Sequence, residues 1–398
     1  MTNSREGENM NKFIPLSVPN FSGKELEYVT KTVETEWVST GGSFINDFEN
    51  QLAMYVNAKG AVACQNGTSG LHIALQVCGV TKEHEVIVPT LTFIAAVNPV
   101  KYIGAEPIFM DCDDSLCMDA DKLLEFCEEE CKFSNGNLIN KKTEKHIKAI
   151  LVVHVFGNMA DMEKIVEIAN KFNLKIIEDA TEALGTYYTE GEFRGKYAGT
   201  IGDVGVYSFN GNKIITTGGG GMIVSEDVEL IKRAKYLTTQ AKSDELYYIH
   251  DEIGYNYRMT NLQAALGLAQ LEQLEQFINT KKDNYYLYKE AINGIQGLRI
   301  LDFRDNIRPN YWFYALYCDE LYQFNRDEII KYLSSKRVQS RPIWGLISEQ
   351  KPYEGNQAYK IEKAITYLEH VINIPCSSNL NNEDVFYVVE CLKHPEKV

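Results

Sequence analysis

The sequence predicts an α/β protein. A large domain built on a mainly parallel mixed sheet spans residues 1–250, and a smaller α+β domain spans 251–398. Three observations carry this reading. Short apolar runs alternate with stretches of helical periodicity through the first half. Several of those runs end in Pro, Gly or Asp, which suits strands whose carboxyl ends face a ligand crevice. After about residue 250 the texture changes to a long helix followed by alternating, edge-type strands.

In chain order, "GKELEYVTKTVETEW" (23–37) places Leu26, Val29, Val33 and Trp37 on one face of a helix. "AVAC" (61–64) reads as a strand, "QNGTSG" as a polar turn, and "LHIALQVCG" as a helix. The runs "EVIVP" (85–89), "PIFM" (107–110), "AILVVHVF" (149–156) and "LKIIED" (174–179) read as strands covered on both faces. "DMEKIVEIANKFN" (161–173) is one of the helices between them. The acidic, then Asn/Lys-rich stretch 113–146 predicts an exposed helix and loop. "TNLQ" (260–263) has capping-box spacing and opens one long helix, "LQAALGLAQLEQLEQFI". "LRILD", the alternating "YWFYALYCD" (311–319), a helix over 326–335 and "VINIP" (371–375) complete the smaller domain.

Composition narrows the function. A net charge of −15 argues against a nucleic-acid binder, which shows a basic face. A local phosphate site made of backbone N–H groups remains compatible with it. No apolar leader or membrane-length run is present, and nine cysteines without metal-ligand spacing read as reduced thiols, so a cytoplasmic protein without a structural metal is expected.

Four stretches bear on chemistry. "NGTSG" (66–70) joins a strand to a helix, so Thr68, Ser69 and the N–H groups there make a phosphate cradle or a simple helix cap. "IIEDATEALG" (176–185) ends an apolar strand in Glu178-Asp179, and a buried acid there needs a cation or donors unless it only caps a helix. "YSFNGNKIITTGGGG" (207–221) delivers Lys213 after Ser208 and Asn210 and before four glycines. Those glycines either form a tight turn or leave room for a group approaching the amine. "GYNYRMTNLQAALG" (254–267) puts Asn256, Tyr257 and Arg258 before a helix, for a ligand, a subunit contact or structure alone. Together with Phe93 of "PTLTFIAAVNPV", these pieces supply what pyridoxal phosphate requires: an amine, an anion for its ring nitrogen, donors for its phosphate and an apolar cover. A nucleotide P-loop fails because the lysine precedes the glycines.

Across residues 14–380 the ordered set "WVSTGG", "NGTSGLHIAL", "VPTLTFIAAVNPV", "HVFGNMADM", "IEDATEALG", "GDVGVYSFNGNKIITTGGGG" and "YNYRMTNLQAALGLAQL" resembles the DegT/DnrJ/EryC1/StrS sugar-nucleotide aminotransferases. The resemblance implies the aspartate-aminotransferase-like fold (type I), pyridoxal 5'-phosphate as cofactor, L-glutamate as amino donor, and a homodimer with shared active sites. It implies Lys213 as the lysine that binds the cofactor aldehyde and Asp179 as the partner of the ring nitrogen. Thr68, Ser69 and Ser208 would hold the phosphate, Phe93 would cover the ring, Asn210 would lie beside it, and Asn256 would reach the neighbouring subunit's cofactor. Two positions depart from the family pattern: Glu182 stands where Gln or His is usual, and Gly219 where Glu is usual. "NYWFYAL" (310–316) and "RPIWGLISEQKPY" (341–353) resemble the LegC-type branch of nonulosonic-acid pathways, implying amination at C4 of UDP-2-acetamido-4-keto-2,6-dideoxyglucose, with GDP-4-keto-6-deoxymannose as the alternative substrate. Tyr257, Arg258, Arg341 and Trp344 are the candidate substrate contacts, and the product would serve surface polysaccharide such as O-antigen.

Overall fold

The computed structural model describes residues 12–244 and 246–396. Its centre is a ten-stranded sheet. The strand order along its main path is 60–64, 221–225, 204–208, 175–179, 146–153, 84–89, 106–110 and 358–359. From Val204–Ser208 to Ala358–Tyr359 every neighbour is parallel, whereas Gly221–Ser225 is antiparallel to both of its neighbours. Near-continuous Val, Ile and Leu make these strands buried on both faces, as in "AILVV", where all five residues are buried. The strands 298–300, 314–318, 371–374 and 341–342 form a separate four-stranded antiparallel sheet.

Two exchanges stitch these sheets together. Ala358–Tyr359 leaves the C-terminal half to pair with Glu106–Met110 of the large sheet, while Ile14 near the N-terminus bridges Val338 beside the small one. Asp111, fully buried where strand 106–110 ends, anchors the first exchange. It accepts the N–H groups of Glu362 and Lys363 at 2.9 Å and Ala364 at 2.8 Å, and it pairs with Lys122 at 2.7 Å. Those N–H groups open the helix Lys363–His370, which has no cap of its own, so the carboxylate caps it from across the chain.

Three local expectations give way to tertiary forces. The helix Glu25–Glu34 forms, but Leu26 is 80% exposed and Trp37 62%, while Glu25 and Thr32 face inward. Glu25 is tolerated there because Gln270, Gln273 and the Gly23 N–H all donate to it. The long helix predicted from Leu262 is two helices, Asn261–Leu271 and Leu274–Ile292. At the break Gln270 and Gln273 turn to the same Glu25 carboxylate, and no sequence periodicity records that pull. The predicted Thr260–Gln263 capping box is present. Stretch 113–146 holds the helix Ala120–Glu129, whose Leu123, Phe126 and Cys127 are buried, and a hairpin, 131–134 with 137–140, that pairs with the start of the interior strand 146–153.

Burial alone would raise the Asp111 carboxyl, but Lys122 and the N–H groups of Ala364 and Glu362 outweigh it and hold it below its ordinary value. That stabilisation is therefore present at neutral pH and lost as pH falls through the lowered folded-state value. Asp111→Ala should cost about 3–5 kcal/mol in urea unfolding at pH 7, because it leaves three N–H groups unpaired and Lys122 with Glu362 as its remaining carboxylate. The difference from wild type should shrink below about pH 4, where the unfolded carboxyl protonates.

Candidate active site

Five chain segments leaving the sheet at one end converge on a cavity of about 340 Å³. Asn66, Thr92, Asp179 and Ser208 all lie at or just past the ends of strands 60–64, 84–89, 175–179 and 204–208, and Val153 ends strand 146–153. This is the carboxyl edge of the parallel array, where loops rather than ladders hold the backbone and polar side chains can converge.

The strand Lys175–Asp179 sends its last two residues to opposite faces. Glu178 turns away from the cavity and accepts from His154 Nε2 at 2.9 Å and from the Gly199 and Ile201 N–H groups at 2.8 and 2.7 Å. It is a structural acid. Asp179 lines the cavity and accepts the Thr181 N–H at 3.0 Å, and among the described residues Thr181 is its hydrogen-bond partner. Burial raises the Asp179 carboxyl, while Thr181 and the nearby Lys213 oppose the rise. A carboxylate so placed has an open coordination side, which suits a cationic ring nitrogen.

After strand Val204–Ser208 the chain turns, with the Lys213 N–H donating to the Asn210 carbonyl at 3.0 Å. The Lys213 amine enters the cavity 3.6 Å from Glu182 Oε1 and 4.2 Å from the centroid of the Trp312 ring. The other oxygen of Glu182 accepts the Phe156 N–H at 2.8 Å. Burial pushes the Glu182 carboxyl up to about 7, against the opposing pull of Lys213 and the Phe156 N–H and with a smaller push from Asp179. The acid that departs from the family pattern therefore faces the Lys213 amine directly.

At the far end, Asn66 caps the helix Gly67–Val77 through a reciprocal box with Ser69. Ser69 spends its hydroxyl on the Asn66 carbonyl at 2.8 Å and does not line the cavity, so here the capping reading holds for that residue. Thr68 and Ser208 do line it, together with Gly67. The first-turn N–H groups of Gly67 and Thr68 have no helical carbonyl to bond, so they are available to an anion. A Cβ on Gly67 would lie 2.9 Å from Thr181 Cγ2 and 3.0 Å from Ser208 Cβ, so the cradle stays open only with glycine. Phe93, half exposed, forms the cover, and Trp344 lies 6.5 Å from it between ring centroids. An amine, an unfilled carboxylate, a glycine-floored anion cradle and an aromatic cover fit pyridoxal phosphate.

Of the remaining expected residues, Asn210 and Trp344 line the cavity, and Asn256, Tyr257, Arg258 and Arg341 do not. Asn256 is exposed on a loop whose backbone bridges Thr239. Tyr257 stacks on Tyr255 and opens onto an adjoining recess shared with Thr68 and Ser69. Arg258 bridges Cys64 through its backbone, and Arg341 is exposed, paired to Asn373 in the small sheet. The glycines after Lys213 also sit elsewhere. Gly218 takes a left-handed turn (φ 76°), and a Cβ on Gly221 would lie 2.7 Å from the Asn66 carbonyl carbon. They let strand 221–225 begin tightly against the capping turn, so the tight-turn reading holds and not the room-for-a-ligand one. Sequence reasoning passed over Thr92, Thr181, Asn212, Trp312 and Phe313. Trp312 and Phe313 had been absorbed into an alternating strand, whereas the strand begins at Tyr314 and leaves both rings in a loop facing the cavity.

The model of the DegT/DnrJ/EryC1/StrS aminotransferase family matches residues 19–393. A GDP-perosamine synthase of Escherichia coli O157:H7 is 39% identical over 382 residues, covering 96% of this chain and 98% of that one. A GDP-perosamine synthase of Caulobacter vibrioides is 36% identical, covering 95% and 97%. Among solved structures, an aminotransferase from Psychrobacter cryohalolentis superposes with a TM-score of 0.82 at 26% identity, covering 95% and 97%.

Glu182 yields a test with a definite sign. Its folded-state value of about 7 lies above the ordinary 4.5, so the native protein binds a proton there that the unfolded chain has released. Stability from this group is complete below about pH 4.5 and is lost as pH rises to about 7. In cofactor-free protein Glu182→Gln should therefore gain on wild type by roughly 2–3 kcal/mol between pH 4.5 and 7.5, measured by denaturant unfolding.

Proposed function

The chain belongs to the DegT/DnrJ/EryC1/StrS aminotransferase family, and on that premise we propose that it moves an amino group from L-glutamate to C4 of a nucleotide-linked 4-keto-6-deoxyhexose. It is a pyridoxal-phosphate-dependent sugar aminotransferase. The observation that carries the proposal is the Lys213 amine lying in one cavity with Asp179 and the Gly67–Thr68 cradle.

When bound, pyridoxal phosphate supplies an aldehyde that exchanges amines and a ring that takes up the electrons left when a carbon loses its proton. Lys213 would bind that aldehyde, Asp179 would pair with the ring nitrogen, and Thr68, Ser208 and the first-turn N–H groups would hold the phosphate. Phe93 would lie on the ring. The Lys213 amine would take the proton from the donor's Cα and later return one, as general base and then general acid. Phe93, Trp312, Phe313 and Trp344 wall the cavity with aromatic surface, which excludes water from the exchange.

For the sugar, three GDP-perosamine synthases among the relatives support GDP-4-keto-6-deoxymannose as the first substrate. The segments "NYWFYAL" and "RPIWGLISEQKPY" favour the second reading, UDP-2-acetamido-4-keto-2,6-dideoxyglucose. Trp344 is the sugar contact we retain, because it alone of the four candidates reaches the cavity.

We also infer a homodimer with shared sites. Leu26, Val33 and Trp37, and the hairpin residues Tyr247 and Tyr248, leave large apolar surface exposed. Asn256 lies outside its own chain's cavity on an exposed loop, where a residue serving a second copy's site would be expected. Among the described residues no helix is long and apolar enough to cross a membrane, and with the charge of −15 we place the enzyme in the cytoplasm without a nucleic-acid partner.

Cofactor-loaded protein should lose its visible absorbance band on addition of L-glutamate. After removal of excess glutamate it should recover the band with GDP-4-keto-6-deoxymannose. Recovery with the UDP-linked sugar alone would move the substrate to the second reading. A band that glutamate leaves unchanged would overturn L-glutamate as donor. Lys213→Ala should abolish turnover with the fold retained by circular dichroism, and Asp179→Asn should lower kcat roughly 10²-fold or more.

A further inference from the structure

Lys213 cannot act as an acid and base unless its amine stays near the reacting carbon after it is released. A four-carbon stem is flexible, and a freed ammonium has many positions open to it. The structure assigns it one: we propose that Trp312 is a positioning residue whose indole face, with the Glu182 carboxylate, forms a resting site for the Lys213 amine whenever that amine is not covalently engaged. Only the catalytic consequence of this assignment rests on the aminotransferase reading. The resting site itself belongs to the chain.

The amine lies 4.2 Å from the Trp312 ring centroid and 3.6 Å from Glu182, so one cation meets a ring face and an anion together. Both partners are buried. Their backbones are linked by one residue, Asn310, itself fully buried. Its Oδ1 accepts the Trp312 N–H at 2.9 Å, and its Nδ2 donates to the Glu182 carbonyl at 2.8 Å and the Leu184 carbonyl at 2.9 Å. The backbones that carry the ring and the carboxylate are therefore tied through a single amide.

Trp312 is tied to the lysine loop as well. Its Nε1–H donates at 2.8 Å to the carbonyl of Asn212, the residue before Lys213. Phe313 stacks flat on it, 3.9 Å between centroids and 5° between planes. Phe156 packs against both rings and gives its own N–H to Glu182. Phe156 and Tyr311 both take left-handed backbone angles (φ 57° and 56°), a cost that surrounding structure must hold in place and that clusters at working sites. A merely structural tryptophan would need none of this alignment with an amine.

The test uses cofactor-stripped, full-length protein and an amine-acylating reagent, with modification of Lys213 followed by mass spectrometry. Trp312→Leu should label about tenfold faster at Lys213 than wild type, while exposed lysines label equally; Trp312→Phe, which keeps a ring face, should stay within about twofold of wild type. Equal labelling in Trp312→Leu and wild type would overturn the proposal. Because loss of a buried ring threatens folding, a second measurement stands apart from that variant. Lys213→Met should change tryptophan emission in the stripped protein, and the change should vanish in a Trp312→Phe background, where only Trp37 and Trp344 remain to respond. Unchanged emission on Lys213→Met would also overturn it. In loaded enzyme Trp312→Leu should lower kcat while both KM values move little, with partial rescue by phenylalanine. Loss of response to glutamate in wild type would instead count against the donor reading and leave the labelling result standing.

Discussion

Holding one amine and two carboxylates inside an apolar cavity is costly, and much of the molecule is arranged to meet that cost. An isolated buried charge loses far more in hydration than a protein core returns, so each of Asp179, Glu182 and Lys213 must have fixed partners. The parallel strands bring Asp179 to the rim and supply the Thr181 N–H. The loop after strand 204–208 brings Lys213, and the left-handed turn at Phe156 brings a donor to Glu182. The raised values of both carboxyls show that the balance is close: burial pushes toward the neutral form and the single amine pulls back.

The same economy explains why the site draws on both halves of the chain. Strand ends alone supply the Gly67–Thr68 turn, Asp179 and Lys213. The aromatic wall and the restraint on the amine come from residues 310–313 and 344, beyond the long helices. The two halves must then be held in fixed relation, and Asp111 does this by capping a helix of the C-terminal half from a strand of the large sheet. A local carboxylate and a distant cavity are thereby parts of one mechanical arrangement. Energetically, Asp111 is another buried acid made stable by converging N–H groups and one lysine.

Glu182 shows how a departure from a family pattern acquires physical meaning. An amide at this position would be neutral at every pH. A carboxyl whose value is raised to about 7 changes charge near neutral pH, 3.6 Å from the Lys213 amine. Trp312 complements it, because an aromatic face attracts the ammonium form without adding a second full charge to the cavity.

Sequence by itself determined the strands and the order of the motifs, because apolar runs of four to eight residues and capping spacings are local signals. It also singled out Lys213, Asp179, Thr68, Ser208 and Phe93, each sitting in a short motif at a strand end, and all five line the one cavity. It left the two halves of the cavity unrelated, since nothing local connects Asn310 with Glu182 across more than a hundred residues. Only the tertiary structure decided that Ser69 spends its hydroxyl on a cap, that the glycines after Lys213 serve strand packing, and that Arg341 stays on the surface. It also split the helix at Leu271 and turned Glu25 inward, because three donors converging on one carboxylate outweigh helical periodicity. Periodicity reports which face of an element is apolar. Which polar group is worth burying depends on the partners that arrive from elsewhere in the chain.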